Sequence, residues 1–219
     1  VECKGFLFDL DGTLVDSLPA VERSWINWAK AHGIEPQDVL DFIHGKQAIT
    51  SLRHFLNGQS EEMIQQEFEA LEKIEAADTQ GIVAMPGAKA LLERLDELDI
   101  PWAIVTSGTV PIASARHQAG ALPAPKAFIT AEQVALGKPH PDAYLLGAQQ
   151  LGLKPEDCVV VEDAPAGVLS GLAAGCQVIA VKAPSDTPKL EQVDLILDSL
   201  EQVRIDASYD GACVILLDQ

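Results

Sequence analysis

Positive charge is scarce in this chain: 15 lysines and arginines stand against 33 aspartates and glutamates in 219 residues, a formal net charge of −18. Nucleic acid is thereby excluded as a partner, because its recognition needs a clustered basic footprint. No uninterrupted apolar run approaches the roughly 20 residues that cross a bilayer, so no membrane partner is expected. Cysteine is sparse and scattered, at Cys3, Cys158, Cys176 and Cys213. Without a Cys-x-x-Cys pair, neither a zinc site nor a dense disulfide framework is indicated. Cys158 and Cys176 fall in strand-like runs and are expected as buried, reduced thiols. Repeats and low-complexity segments are missing too. The N-terminus opens on a strand-like run in place of a signal peptide, which points to a cytoplasmic protein.

What is present is concentrated between Phe6 and Ser17, Phe-Leu-Phe-Asp-Leu-Asp-Gly-Thr-Leu-Val-Asp-Ser. An apolar strand runs into two carboxylates separated by one residue. Side chains alternate along a strand, so Asp9 and Asp11 are expected to face one pocket at the strand's C-terminal end. Gly12 then lets the chain turn away. Two acids so close repel unless a cation or proton intervenes. Mg²⁺ is the natural cation, being a hard ion that binds one or two carboxylates together with substrate phosphate. Such a pair can divide phosphoryl chemistry between a nucleophile and a proton carrier.

Beyond Pro86 the pattern alternates. Helices are expected over 86–99, 112–119, 141–151 and 166–174, and strands over 102–106, 127–130, 158–161, 177–181 and 195–197. That alternation predicts an α/β fold, a doubly wound, Rossmann-like parallel sheet covered on both faces. Ligands of such sheets bind beyond the carboxyl ends of the strands. Asp9, Thr106 and Asp163 each follow an apolar run there, and Lys138 lies in a loop before a helix. Between Leu14 and about Ala84 the character is helical instead. Leu18, Val21, Trp25, Trp28 and Ala29 mark one amphipathic helix, and Val39, Phe42 and Ile43 begin another. Ser60 reads as an N-cap followed by Glu61 and Glu62, with Met63, Ile64, Phe68, Leu71 and Ile74 as the apolar face. The connections near 15–18 and 80–86 read as hinges. Asp210-Gly211 between apolar runs suggests a hairpin within 205–219.

Four segments in order then carry a resemblance: Asp9-Leu-Asp11-Gly-Thr, Ile104-Val-Thr106-Ser107-Gly108, Gly137-Lys138-Pro139-His-Pro141-Asp142, and Val161-Glu162-Asp163-Ala-Pro-Ala-Gly167. The sequence resembles the haloacid dehalogenase superfamily, specifically its small phosphatases with an inserted helical cap. Sugar phosphatases and 2-deoxyglucose-6-phosphate phosphatases are the nearest likeness, with β-phosphoglucomutase and phosphoglycolate phosphatase further off. The resemblance implies a core of residues 1–14 and 85–219 and a cap of residues 15–84. It implies Mg²⁺-dependent hydrolysis of small sugar or polyol phosphates, with a phosphomutase or a phosphoglycolate-type phosphatase as the alternatives. Asp9 would become an aspartyl-phosphate and Asp11 would be the acid/base. Thr106, Ser107 and Lys138 would bind the phosphoryl group, with Leu10 beside them. Asp9, Asp11 and Asp163 would hold the metal, and Glu162 would join them or hold Lys138. Gly45, Lys46 and Arg53 of the cap would meet the leaving group. His117 and His140 are expected at the periphery. The partner would be a small phosphorylated metabolite and the protein a monomer.

Overall fold

The segment Gly5–Phe8 is apolar at every position and buried at every position, which is the signature of a central strand covered on both faces. In the computed structural model, which describes residues 1–217, this strand is β2, preceded by the short β1 (Glu2–Cys3). After β3 (Val15–Asp16) come four helices, α1 (Leu18–Ala31), α2 (Pro36–Ile43), α3 (Ala48–Phe55) and α4 (Glu61–Ala77), and then β4 (Val83–Ala84). The remainder alternates through α5 (Ala88–Glu97), β5 (Trp102–Val105), α6 (Val110–Ala119), β6 (Ala127–Ile129), α7 (Asp142–Leu151), β7 (Cys158–Glu162), α8 (Pro165–Ala173), β8 (Gln177–Val181) and β9 (Leu195–Leu197). A hairpin, β10 (Val203–Ser208) and β11 (Gly211–Leu216), follows.

Six strands form one parallel sheet in the order β6-β5-β2-β7-β8-β9. Alternation along these strands divides the core into two clusters. Phe6, Phe8, Trp102, Ile104, Val159 and Val161 face one way, against Leu91, Leu92 and Leu95 of α5 and Ala113 of α6. Leu7, Ala103, Val105 and Val160 face the other way, against Tyr144 and Ala148 of α7 and Val168 of α8. Each large side chain so buried stabilises the fold by about 1.5–3 kcal/mol relative to exposure. From β2 the chain fills one half of the sheet with β5 and β6, then crosses to build β7, β8 and β9. The crevice at the carboxyl end of β2 is therefore the switch point where such sheets take ligands.

The helical insertion encloses its own cluster of Trp25, Trp28, Ala29, Val39, Ile43, Leu52, Ile64 and Leu71. Its entry and exit meet in an antiparallel ladder, Val15 opposite Ala84 and Asp16 opposite Val83. Two-residue strands carry no alternation, so the sequence reads them only as connections. The Ser60 cap forms, accepting from the Met63 amide at 3.2 Å. The buried stripe of α4 differs from the expected one: Met63 and Ile74 are exposed, and Ile64, Leu71 and Glu75 face inward. Residues 48–55, for which the sequence pattern marks no element, form the helix α3, anchored by buried Ser51 and Leu52.

The hairpin at Asp210-Gly211 is present, and β11 also pairs with β1 in a three-stranded sheet. Asp218 and Gln219, the end of that expected segment, lie outside the described residues. Cys158 and Cys176 are buried, and burial pushes their thiols up to about 11 and about 12.

Candidate active site

Strand β2 ends at Phe8, and the next residue projects its carboxylate into the crevice. Asp9 is buried, and its Oδ1 accepts a 2.7 Å hydrogen bond from Lys138 Nζ. The same ammonium donates to Glu162 Oε1 at 2.7 Å and to the Val105 carbonyl at 2.9 Å. Both oxygens of Glu162 are engaged. Oε1 also accepts from the Tyr144 hydroxyl at 2.8 Å, and Oε2 accepts the amides of Asp163 and Ala164, each at 3.1 Å. Burial opposes the charge of Lys138, but Asp9 and Glu162 outweigh it and hold the ammonium well above its usual range. Burial, with Glu162 nearby, pushes the Tyr144 phenol up as well.

Asp163 completes an acidic cluster. Carboxylate oxygens of Asp9, Glu162 and Asp163 lie within 4.8 Å of one another. The Thr13 hydroxyl bridges two of the acids, 3.1 Å from Asp163 Oδ1 and 3.4 Å from Asp9 Oδ2. Gly12 makes this approach possible: its φ is +87°, and a Cβ there would sit 2.2 Å from Asp163 Oδ2. Burial and the Glu162 charge push Asp9 up to about 7 against the pull of Lys138. Burial and the Asp9 charge push Asp163 well above the carboxylate range. Such mutual repulsion is what a hard divalent cation relieves, and an all-oxygen donor set matches Mg²⁺. These three acids could hold such an ion; both Glu162 oxygens already accept hydrogen bonds, from Lys138, Tyr144 and two amides, which leaves Asp9 and Asp163 the freer carboxylates.

Asp11 lines the same cavity as Asp9, as strand alternation predicts, but its carboxylate is not one of the three that cluster. Its Oδ1 is 3.0 Å from Arg116 Nη1 and accepts from the Ser17 hydroxyl at 2.5 Å. The Asp11 carboxylate thus stands outside the cluster of Asp9, Glu162 and Asp163 and is paired with a buried arginine. Arg116 also donates to Glu75 Oε2 at 2.9 Å. Burial disfavours both charges. For Arg116, Asp11 and Glu75 outweigh that penalty, whereas burial leaves Glu75 raised despite Arg116.

A cavity of ≈ 420 Å³ opens over these groups between the sheet and the insertion. Asp9, Asp11, Thr106, Ser107 and Asp163 form its floor, and Trp25, Ile43, His44, Gly45, Lys46 and Gln47 lie among its walls. Thr106 accepts the Gly108 amide at 3.0 Å, which leaves its hydroxyl proton available. The Ser107 hydroxyl donates to the Gly45 carbonyl at 3.0 Å, joining floor to insertion. Gly45 has φ +75°, and a Cβ there would lie 2.7 Å from the Ala164 Cβ. Lys46 bends back, donating to the Phe42 carbonyl at 2.6 Å with its ammonium 3.8 Å from the Phe42 ring centroid.

Two of the expected residues do not present their side chains to the cavity. Arg53 is exposed and ion-paired with Glu61 at the start of α4, outside the cavity walls. The helix α3 turns it outward. Leu10 is fully buried in the hydrophobic cluster, so only its backbone can approach a ligand. Lys138 reaches Asp9 from behind the cavity floor. His117 and His140 are absent from the walls. Sequence reasoning missed Arg116, Glu75, Tyr144 and Ser17. A signal existed for two of them: Arg116 continues the apolar spacing of Ile112 and Ala113, and Glu75 continues that of Ile64, Phe68 and Leu71.

Residues 3–175 match the model of the haloacid dehalogenase-like hydrolases. The chain is 67% identical over 215 residues to hexitol phosphatase A of Escherichia coli (strain K12), covering 98% of this chain and 100% of that protein. It is 33% identical over 210 residues to glycerol-1-phosphate phosphohydrolase 2 of Saccharomyces cerevisiae, covering 91% and 83%. Among solved structures, a hydrolase from Pseudomonas syringae superposes with a TM-score of 0.80 at 27% identity, covering 91% of this chain and 94% of that one. With its parallel sheet, its helical insertion and its acids at the carboxyl end of β2, the chain belongs to the haloacid dehalogenase-like hydrolase family.

Proposed function

We propose that this enzyme is a Mg²⁺-dependent phosphatase of small polyol and sugar phosphates that works through an aspartyl-phosphate on Asp9. The single observation that carries the reading is the convergence of Asp9, Lys138 and Asp163 under a cavity of metabolite size. The near-full-length likeness to a hexitol phosphatase supports a phosphatase over a phosphomutase and polyols over other esters.

The residues divide the work as follows. Lys138 fixes one oxygen of Asp9 and thereby orients the carboxylate for in-line attack on phosphorus. An Asp9 oxygen bonds to phosphorus as the ester P–O bond breaks, and Asp11 gives its proton to the departing alkoxide. Water then attacks the acyl phosphate. Asp11 takes the water's proton, inorganic phosphate leaves, and the Asp9 carboxylate returns. Thr106 and the Ser107 amide receive the phosphoryl oxygens, donors aimed where charge develops. Asp9 and Asp163 would hold Mg²⁺, which when bound would supply charge neutralisation for the phosphoryl group. Glu162 and Tyr144 serve Lys138. The insertion closes over a small ester, excludes bulk water and presents Gly45 and Lys46 toward the alcohol. We take residues 15–84 as that cap.

The test is phosphate release from hexitol phosphates, glycerol phosphate and aldose phosphates, with Mg²⁺ and with chelator. Release that requires Mg²⁺ and is greatest with hexitol phosphates is expected, with a phosphorylated Asp9 trapped by acid quench. A folded sample that releases no phosphate from any ester overturns the reading.

A further inference from the structure

One buried charge at the cavity belongs to none of the four motif segments. Arg116 of α6 is 4% exposed, yet it touches two acids on opposite sides of the joint between sheet and insertion. Nη1 meets Asp11 of the loop after β2, and Nη2 meets Glu75 of α4. The Ser17 hydroxyl, just before α1, holds the same Asp11 oxygen. Asp11 is therefore gripped from the entry of the insertion by Ser17, and from its last helix by Glu75 through Arg116.

We propose that Arg116 is a positioning residue that makes the aim of Asp11 depend on the seating of α4. A planar guanidinium can serve two carboxylates at fixed angles, which an ammonium cannot do. While Glu75 occupies Nη2, Asp11 receives a single contact from Nη1 and keeps its second oxygen for proton transfer. With α4 displaced, the fork is released to close on Asp11 with two parallel bonds, the strong bidentate pairing of arginine and carboxylate. The acid/base is then withheld. Proton transfer is thus confined to the arrangement in which the insertion covers the substrate.

The inference rests on Asp11 being the acid/base, so the test separates the two. A proton donor matters for an alkoxide and far less for 4-nitrophenolate, and kcat/KM reports events up to ester cleavage. Two variants are compared with the wild type on hexitol phosphate and on 4-nitrophenyl phosphate: Arg116→Lys, and the double variant Arg116→Met with Glu75→Leu. The double variant leaves no buried charge on α4 without a partner, which protects folding. Both are expected to lose about 10²-fold in kcat/KM on the hexitol ester and less than about 3-fold on the aryl ester, at the general-acid scale. Asp11→Asn run in parallel is expected to show the same split. If Asp11→Asn splits the two esters while the Arg116 variants lose equally on both, or lose nothing, the positioning role is overturned. If Asp11→Asn itself shows no split, the acid/base reading falls, and the inference with it.

Discussion

In the proposed reaction the chemistry turns on Asp9, whose carboxylate has neighbours that both oppose and support its charge. Asp9→Asn is expected to lower turnover at least ~10³-fold, since an amide is a poor nucleophile and a weak ligand. Circular dichroism should show an intact fold, and near-normal turnover would remove Asp9 as nucleophile. The raised carboxyl gives a further expectation. With the Asp9 carboxyl raised by burial and by Glu162, protons would compete with Mg²⁺ more strongly as the pH falls. Burial and Glu162 keep the proton on metal-free Asp9 up to a higher pH than on a free carboxyl, and binding of the ion would release it. The melting-temperature increase caused by a fixed Mg²⁺ concentration should therefore be larger at pH 8 than at pH 6. An equal increase at both would contradict the assignment. At this scale the sequence was legible where an acid ended an apolar run, as with Asp9 and Asp163. It was illegible for Tyr144 and Ser17, ordinary residues made functional by what folds against them.

Among the elements, the parallel strands were readable because burial on both faces leaves continuous apolar runs such as Cys158–Glu162 with its Val-Val-Val centre. The helix α3 was not, because its sequence Ala-Ile-Thr-Ser-Leu-Arg-His-Phe has polar residues that packing of Leu52, not intrinsic preference, holds in helical form. The turn before α3 is where the insertion meets the sheet, and Gly45 sets how closely. Gly45→Ala adds a methyl that would lie 2.7 Å from the Ala164 Cβ at a φ that L-residues avoid. The insertion should seat less deeply and lose the Ser107 contact. We expect kcat/KM for a hexitol phosphate to fall about tenfold while the melting temperature changes by only a few degrees. Unchanged kinetics would show that this contact does not govern closure.

For the molecule as a whole, a net charge of −18 surrounds a site that must attract an anionic ester. The general field repels, and Lys138, with Mg²⁺ where the proposed site holds it, would attract only at short range. Raising ionic strength at saturating Mg²⁺ should leave KM for a phosphate ester unchanged or lower it. A clear increase would mean that long-range attraction dominates.

The cavity has another consequence at this scale. Its floor is assembled from the ends of β2, β5 and β7, whereas residues 43–47 of its wall belong to one short stretch of the insertion. In the proposed reaction the phosphoryl group would meet strand ends while this stretch would face the alcohol, so exchanging it is expected to change which ester is accepted more than it changes the reaction at phosphorus.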